Sequence, residues 1–193
     1  MIKVGIIGLG YWGPNLVRNF QNNRNCKVVA FCDLDDSLLK KYHAKFPDSK
    51  FYNDYKKLLK CSDIDACVIA TPVTTHFDIA LNALKNNKHV FVEKPLADSS
   101  LKCKKLISLA NQKDLVLFVD HTFLYTEAVQ TLKKYSLKNN FGKKLYYDST
   151  RINLGLIQND INVLWDLAVH DLSILSYINK ESPLSVSAVG HQH

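Results

Sequence analysis

The stretch Gly8-Leu9-Gly10-Tyr11-Trp12-Gly13 decides the fold of this 193-residue chain. It follows a β-branched run at residues 2–7 and opens a segment with helical spacing at residues 12–22. A glycine-rich turn between a strand and a helix brings backbone N–H groups to one point, where they can bind a pyrophosphate. The first glycine allows the tight turn, the second lets the backbone approach the ligand, and the third lets the helix pack on the strand.

An acidic residue completes this pattern. Asp33 lies at the end of the next predicted strand, about 20 residues further on, where a carboxylate accepts hydrogen bonds from ribose hydroxyls. A carboxylate there repels a 2′-phosphate, and Leu34-Asp35-Asp36 contains no Arg or Lys. The pattern therefore favours NAD over NADP. The alternative is that the glycines only shape a turn and that Asp33 only caps a helix over 35–46.

From residue 2 to about 120, short β-branched runs alternate with amphipathic segments, which is typical of repeated β-α units around a parallel sheet. The predicted strands span 2–7, 27–32, 50–52, 65–70, 88–92 and 115–119. The predicted helices span about 12–22, 35–46, 54–60, 75–86 and 98–112. Six strands joined by crossovers predict an α/β domain of the Rossmann type over 1–120, with a doubly wound parallel sheet.

The pattern changes after Val119. It predicts a helix near 126–138, a strand at 143–153, a helix at 165–178 and a last strand at 184–189. We therefore expect an incomplete α+β open-sheet domain over 121–193. A segment of about 70 residues is only marginally stable as an independent domain. It must therefore pack against the first domain, against another chain, or against residues that this chain lacks.

Composition narrows the class of protein. Hydrophobic residues make up 47% and charged residues 22%, and no apolar run approaches the roughly 18 residues of a membrane-spanning helix. The N-terminus shows no secretory leader, and five cysteines without a Cys-x-x-Cys pair suit reduced thiols. We therefore expect a cytoplasmic protein with no membrane partner. The net charge of +7 would suit nucleic acid, but the lysines are dispersed in pairs, so solvated helix faces explain them and no nucleic-acid partner is expected.

Two further loops follow predicted strands, at the edge where open α/β sheets bind ligands. Thr71-Pro72-Val73-Thr74-Thr75-His76 follows the fourth strand, and Glu93-Lys94-Pro95 follows the fifth. A lysine at that place can reach a reacting centre as a hydrogen-bond donor with a tunable pKa. Taken alone, Glu93-Lys94-Pro95 would equally suit an ordinary exposed turn.

Asp166 and His170 stand four residues apart in a predicted helix. This spacing puts them on one face, where the carboxylate can orient the imidazole while the imidazole exchanges a proton. The alternative makes Asp166 a helix N-cap and His170 a partly buried surface residue. One Asp and one His fall short of a metal ligand set, so no metal is expected.

Together these residues resemble the glucose-fructose oxidoreductase / inositol dehydrogenase (Gfo/Idh/MocA) family. The resemblance runs from the glycine motif through Ala70-Thr71-Pro72 and Glu93-Lys94-Pro95 to the Asp-x-x-x-His pair. Three further segments look like the members that oxidise sugars attached to nucleotides, such as UDP-N-acetylglucosamine-type 3-dehydrogenases: His121-Thr122-Phe123-Leu124-Tyr125, Arg151-Ile152-Asn153-Leu154-Gly155 and Asn162-Val163-Leu164-Trp165-Asp166-Leu167-Ala168.

The resemblance implies hydride transfer from a sugar hydroxyl carbon to the nicotinamide of NAD. Lys94 would hydrogen-bond the substrate hydroxyl, His170 would act as general base, and Asp166 would hold His170 in position. Glu93 would contact the nicotinamide ribose, and the remaining cofactor-pocket residues would be Gly8, Gly10, Tyr11, Trp12, Gly13, Asp33, Thr71, Pro72, His76 and Lys94. The substrate, a sugar or nucleotide sugar, would contact Lys94, Tyr125, Arg151, Asn153 and His170.

The resemblance also implies a longer second domain than residues 121–193 can form. We therefore expect a truncated or split member whose last strand, at 184–189, needs a covering chain. A homo-oligomer follows from that expectation. Asp120 is a departure, since related sequences often have Gly before the His-Thr-Phe-Leu-Tyr run. The alternative to an active dehydrogenase is a truncated, non-catalytic NAD-binding or assembly protein of the same family.

Overall fold

The computed structural model describes residues 1–138, 140–152, 161–179 and 181–191. The chain forms two compact units. The first unit is Met1–Asp120 together with residues 161–166, and the second unit comprises the described residues of 121–152 and 167–191. None of the described helices combines the length and the apolar character that crossing a membrane requires.

The first unit is a six-stranded sheet in which every neighbouring pair of strands is parallel. Its strands are β1 (Ile2–Ile7), β2 (Cys26–Cys32), β3 (Lys50–Tyr52), β4 (Ala66–Ile69), β5 (His89–Val92) and β6 (Leu117–Val119). Its helices are α1 (Gly13–Asn22), α2 (Asp36–Lys45), α3 (Tyr55–Leu59), α4 (Val73–Lys85) and α5 (Ser100–Gln112). The predicted α/β class, the six strands and the five helices are confirmed.

The strand order is β3-β2-β1-β4-β5-β6. The chain winds outward from β1 in one direction and from β4 in the other, so the connections after these two strands diverge. This divergence leaves a crevice outside the carboxyl ends of β1 and β4, which is where doubly wound sheets bind ligands. The strand order therefore fixes the place of the site before any side chain is considered.

Apolar side chains cover both faces of the sheet. One cluster centres on Phe31, which is fully buried and stacks on Phe46 and Phe51. The other includes Leu58 and Leu84, both fully buried. Because each such side chain contributes about 1.5–3 kcal/mol on burial, these clusters hold the crevice on a rigid base.

The helix starts in the first unit fall into two classes. The helices α2, α3 and α5 begin with Asp35, Asp54 and Ser99, and each of these side chains accepts a backbone N–H of the first turn. By contrast, α1 and α4, which follow β1 and β4 at the crevice, have no side-chain cap and no acidic residue in the first turn. Their N–H groups point to a position that favours an anion.

The described residues of the second unit are helical or irregular. A 3₁₀ helix at Thr122–Tyr125 precedes α6 (Glu127–Ser136), and α7 spans Val169–Ile178 after a π-helical turn at Leu164–Ala168. The predicted helices near 126–138 and 165–178 are confirmed. The strands predicted at 143–153 and 184–189 are wrong, since 143–152 and 184–189 contain no strand. A strand needs a neighbour for its N–H and C=O groups, and no strand of the described chain pairs with either segment.

Candidate active site

Two glycines of the β1–α1 turn are required by the fold itself. Gly8 has a φ of +95°, and a Cβ there would lie 2.6 Å from the backbone of Ala70. A Cβ on Gly13 would lie 2.5 Å from the carbonyl oxygen of Gly8. Both separations are shorter than real Cβ contacts, so these two positions need Gly whether or not a ligand binds.

Gly10 differs from its two neighbours in the motif. A Cβ at this position would meet nothing within 4 Å, and its φ is not in the left-handed region. The fold alone therefore does not require Gly at position 10. The open space lies beside the uncapped start of α1, where Pro14 occupies the first turn and no acidic side chain competes for an anion. This cradle fits the pyrophosphate of a dinucleotide, which a Cβ at position 10 would partly displace.

Asp33 holds the glycine loop. One carboxylate oxygen accepts the backbone N–H of Leu9 at 2.6 Å, and the other accepts the N–H of Asp35 at 2.9 Å. The residue that caps α2 is Asp35, whose side chain accepts the N–H of Ser37. The alternative in which Asp33 only caps this helix is therefore wrong. Because each carboxylate oxygen has two lone pairs, Asp33 retains acceptor capacity for ribose hydroxyls.

His76 joins the two loops that follow β4 and β5. Its Nε2 lies 2.8 Å from the carbonyl oxygen of Thr71, and its Nδ1 lies 2.8 Å from that of Pro95. The side chain is only 1% exposed. Both partners are carbonyl acceptors, so the imidazole donates an N–H to one of them in either neutral tautomer. His76 thus acts on the predicted cofactor pocket through the loops that it ties together.

Lys94 and Asp166, both in the first unit, form an ion pair. The ammonium of Lys94 donates to Oδ1 of Asp166 at 2.9 Å and to the Asp166 backbone carbonyl at 2.8 Å. Both side chains are about three-quarters buried, so solvent screens the pair less than a surface ion pair. The Asp166 carboxylate fixes the position of the Lys94 ammonium at the carboxyl end of β5. The orientation of His170 by Asp166 stays a prediction.

Glu93 and Asp120 lie side by side at the ends of adjacent strands. Val92 pairs with Val119 in the β5–β6 register, so the next residue on each strand is a carboxylic acid. The Asp120 N–H donates to the Val92 carbonyl at 2.9 Å. Burial, followed by the Asp120 charge, raises the pKa of Glu93 to about 8. Glu93 is therefore mostly protonated at neutral pH.

In the second unit, His170 lies on α7 and is 8% exposed. The ring of Phe123 meets the imidazole edge to face, with centroids 4.7 Å apart. The guanidinium of Arg151 lies 4.8 Å from the centre of the same Phe123 ring. It also donates from Nε and Nη2 to the two carboxylate oxygens of Asp171 at 2.7 and 3.0 Å.

This arrangement bears on the predicted substrate contacts. Arg151 holds the pKa of Asp171 below its usual range through the hydrogen bonds between them. A substrate anion would therefore have to share the guanidinium with Asp171. Tyr125 is 63% exposed at the end of the 3₁₀ helix, and Asn153 lies outside the described residues. The substrate contacts of Tyr125, Arg151 and Asn153 stay predictions.

The remaining predicted cofactor residues lie around the crevice. Tyr11 and Trp12 are 81% and 40% exposed just before α1, and Pro72 occupies the start of α4. The sequence reasoning did not assign Asp120 and Asp171 to the site. Asp120 could have been found, because it directly follows a predicted strand as Glu93 does.

Comparisons with known proteins agree with this geometry. A family model described as "Oxidoreductase family, NAD-binding Rossmann fold" (GFO_IDH_MocA) matches residues 2–121. The inositol 2-dehydrogenase of Salmonella typhimurium is 28% identical over 189 residues, which cover 93% of this chain and 55% of that protein. The UDP-N-acetylglucosamine 3-dehydrogenase of Acidithiobacillus ferrooxidans is 32% identical over 130 residues, which cover 67% of this chain and 40% of that protein.

A solved structure shows the same fold. The scyllo-inositol dehydrogenase of Lactobacillus casei, with bound NAD(H) and scyllo-inositol, aligns with a TM-score of 0.79 at 18% identity. The alignment covers 93% of this chain and 56% of that one. The chain spans about half the length of the curated relatives it matches. It belongs to the Gfo/Idh/MocA oxidoreductase family, and the cofactor of its Rossmann domain is NAD.

Proposed function

We propose that this chain oxidises a secondary hydroxyl of a sugar, by transfer of hydride from the hydroxyl carbon to NAD. The observation that carries the proposal is the Lys94–Asp166 pair at the carboxyl end of β5. Two β-α turns away, the Gly10 cradle and Asp33 fit the pyrophosphate and the adenosine ribose. The ammonium of Lys94 is held on the other side of the crevice. This is the half of the crevice that remains for the nicotinamide and the reacting carbon.

Each residue has a chemical task in this proposal. NAD supplies the hydride acceptor when bound. Lys94 donates a hydrogen bond to the substrate hydroxyl oxygen and stabilises negative charge there as its proton leaves. Asp166 keeps the ammonium of Lys94 in place through the bonds to its carboxylate and carbonyl oxygens. His170, on α7, is the proposed general base that accepts the hydroxyl proton.

For the substrate, we propose a nucleotide sugar. Support comes from the 32% identity to a UDP-N-acetylglucosamine 3-dehydrogenase and from the exposed aromatic ring of Tyr125, which suits contact with a sugar or base. The relatives named as inositol dehydrogenases favour a free polyol instead. A direct comparison of UDP-N-acetylglucosamine with myo-inositol therefore decides the substrate class within the proposed activity.

The test is NADH formation by the whole chain with each of these two compounds. Lys94→Met should lower kcat by about 10²–10³, the range typical for loss of one hydrogen-bond donor to a developing negative charge. Its affinity for NAD should stay within a few-fold of that of the wild type, because the pyrophosphate and ribose contacts lie elsewhere. Lys102→Met is the matched control, since Lys102 forms an exposed ion pair with Asp98.

Turnover by Lys94→Met at the rate of Lys102→Met would contradict the proposed role of Lys94. Thermal unfolding of both variants separates a catalytic loss from a folding defect, since Lys94→Met leaves Asp166 without its cation.

The second candidate function is NAD binding without turnover. It is favoured by the Arg151–Asp171 ion pair, which occupies a guanidinium predicted to contact substrate. Tight NAD binding with no NADH formation on a broad sugar panel would support it.

We further propose a division into a nucleotide-binding domain over 1–120 and a substrate domain over 121–193, and a homo-oligomer in the cytoplasm. The second unit exposes many large apolar side chains, including Tyr146, Leu184 and Val189, and such a surface favours a covering chain. Five free cysteines suit a reducing compartment. Light scattering on the purified chain tests the oligomer, and a mass equal to one chain at micromolar concentration would refute it.

A further inference from the structure

The carboxyl groups of Glu93 and Asp120 are forced together by the strand register. Neighbouring strands lie about 4.8 Å apart, and side chains at paired positions of parallel strands leave the sheet on the same face. Val92 and Val119 are paired, so Glu93 and Asp120 occupy the next pair of positions. Asp120 is 7% exposed. Two buried carboxyl groups at adjacent positions repel each other when both are ionised, and this repulsion favours one shared proton.

The neighbouring charged groups do not cancel the repulsion between the two carboxylates. Lys94 is the cation that favours ionisation of Glu93, but its effect is smaller than that of burial and of Asp120. The Lys94 ammonium is already paired with the Asp166 carboxylate. The other titratable side chains in adjoining segments are His76, which contacts the Pro95 carbonyl, and His121, which follows Asp120 in the chain.

The pair also has a definite place relative to the cofactor. Asp33 directly follows β2, so the adenosine half of NAD would bind on the side of β1, β2 and β3, and the nicotinamide half on the side of β4, β5 and β6. Glu93 and Asp120 follow β5 and β6 directly. They would therefore face the end of the cofactor whose charge differs between its two redox states, since the nicotinamide ring is cationic in NAD⁺ and neutral in NADH.

We propose that Glu93 and Asp120 form a proton-sharing carboxyl pair that releases its proton when NAD⁺ binds and keeps it when NADH binds. When NAD⁺ binds, the pair changes from one negative charge to two and its proton goes to solvent. The added negative charge then faces the cationic nicotinamide ring. No bond of the cofactor is made or broken. The proposal rests on the NAD binding of the family and is independent of whether the chain oxidises a sugar.

The consequence is a pH-dependent preference for the oxidised cofactor. A cation within about 4–6 Å lowers a carboxyl pKa by roughly 1–3 units. The pair therefore titrates at lower pH in the NAD⁺ complex than in the free protein, and affinity for NAD⁺ rises with pH between those two values. The expected rise is tenfold or more over the window that ends at about 8, the pKa of Glu93. Affinity for NADH should stay flat over the same window.

Titration calorimetry on the whole chain tests this directly. Binding heats in buffers of different ionisation enthalpy count the protons released for each cofactor. At pH 7 the wild type should release up to one proton with NAD⁺ and none with NADH, and Glu93→Gln should release none with either. Asp120→Asn should release fewer protons with NAD⁺ than the wild type, because it loses the Asp120 charge while burial still raises the pKa of Glu93. Asp63→Asn, which removes an exposed carboxylate that pairs with Lys50 before β4, should behave as the wild type.

Three results would overturn the proposal. One is equal proton release with NAD⁺ and NADH, and another is full release by Glu93→Gln, which would assign the proton to His76, His121 or Lys94. The third needs no cofactor: infrared spectra of the free protein at pH 7 should show a protonated carboxylic acid band that disappears in Glu93→Gln. Absence of that band in the wild type would refute the shared proton, while absence of dehydrogenase activity would leave these outcomes unaffected.

Discussion

Substitution of Gly10 by Ala separates the part of the glycine motif that folds the chain from the part that binds the cofactor. A Cβ at position 10 meets no atom within 4 Å and the backbone there has no left-handed φ. Gly→Ala at such a compatible site commonly raises the free energy of unfolding by about 0.4–1 kcal/mol, because the unfolded chain loses freedom. We therefore expect Gly10→Ala to fold as well as the wild type or slightly better.

Cofactor binding should change in the opposite direction. The added methyl group would occupy the cradle beside the start of α1 and hold the pyrophosphate away from the backbone N–H groups. Loss of one hydrogen bond to a charged group costs roughly 1.5–3 kcal/mol, so the Kd for NAD should rise about tenfold to a hundredfold. Titration calorimetry measures the Kd, and urea denaturation measures the free energy of unfolding.

Gly8→Ala is the matched control within the same motif. Its φ of +95° and the 2.6 Å approach to Ala70 predict a folding defect, of about 1–3 kcal/mol for the backbone strain alone. An unchanged Kd of Gly10→Ala for NAD would show that the pyrophosphate does not bind beside Gly10. A loss of stability as large as that of Gly8→Ala would show that the fold itself requires Gly at position 10.

Two further predictions concern the loops beyond β4 and β5. His76→Leu should lower the free energy of unfolding by roughly 1–3 kcal/mol, because a buried carbonyl loses its N–H donor. The same change at exposed His43 should cost little in urea denaturation, and equal costs would contradict the buried bridge. Because the pKa of Glu93 is raised in the folded state to about 8, the folded chain holds a proton that the unfolded chain has lost, and stability falls as pH rises from the ordinary glutamate range to about 8. Thermal unfolding measured against pH should show a smaller loss of stability over this range for Asp120→Asn than for the wild type. Equal losses in the two proteins would show that the pair does not titrate in this range.

The sheet was predictable because its signals are local. Each strand of the first unit is a short apolar run, and the glycine motif fixes how β1 joins α1. Asp33 was likewise predictable from its distance along the chain. The structure adds that it holds Leu9 as well, since both oxygens accept backbone N–H groups.

The Lys94–Asp166 pair was not predictable, because 72 residues separate its members. Sequence spacing relates residues four apart on a helix, and so it assigned Asp166 to His170. The strand predictions at 143–153 and 184–189 are wrong for a related reason. Alternation of apolar residues makes a segment suitable for a strand, but pairing requires a second strand that local pattern cannot supply.

Transfer of a labelled hydride shows directly whether the chain oxidises a hydroxyl carbon of a sugar. UDP-N-acetylglucosamine and myo-inositol carrying deuterium on their ring carbons can be incubated with the whole chain and NAD, and the NADH analysed by mass spectrometry. We expect the wild type to form NADH that carries one deuterium, and Lys94→Met to form little NADH. NADH without deuterium, or equal labelled NADH from Lys94→Met, would contradict this expectation.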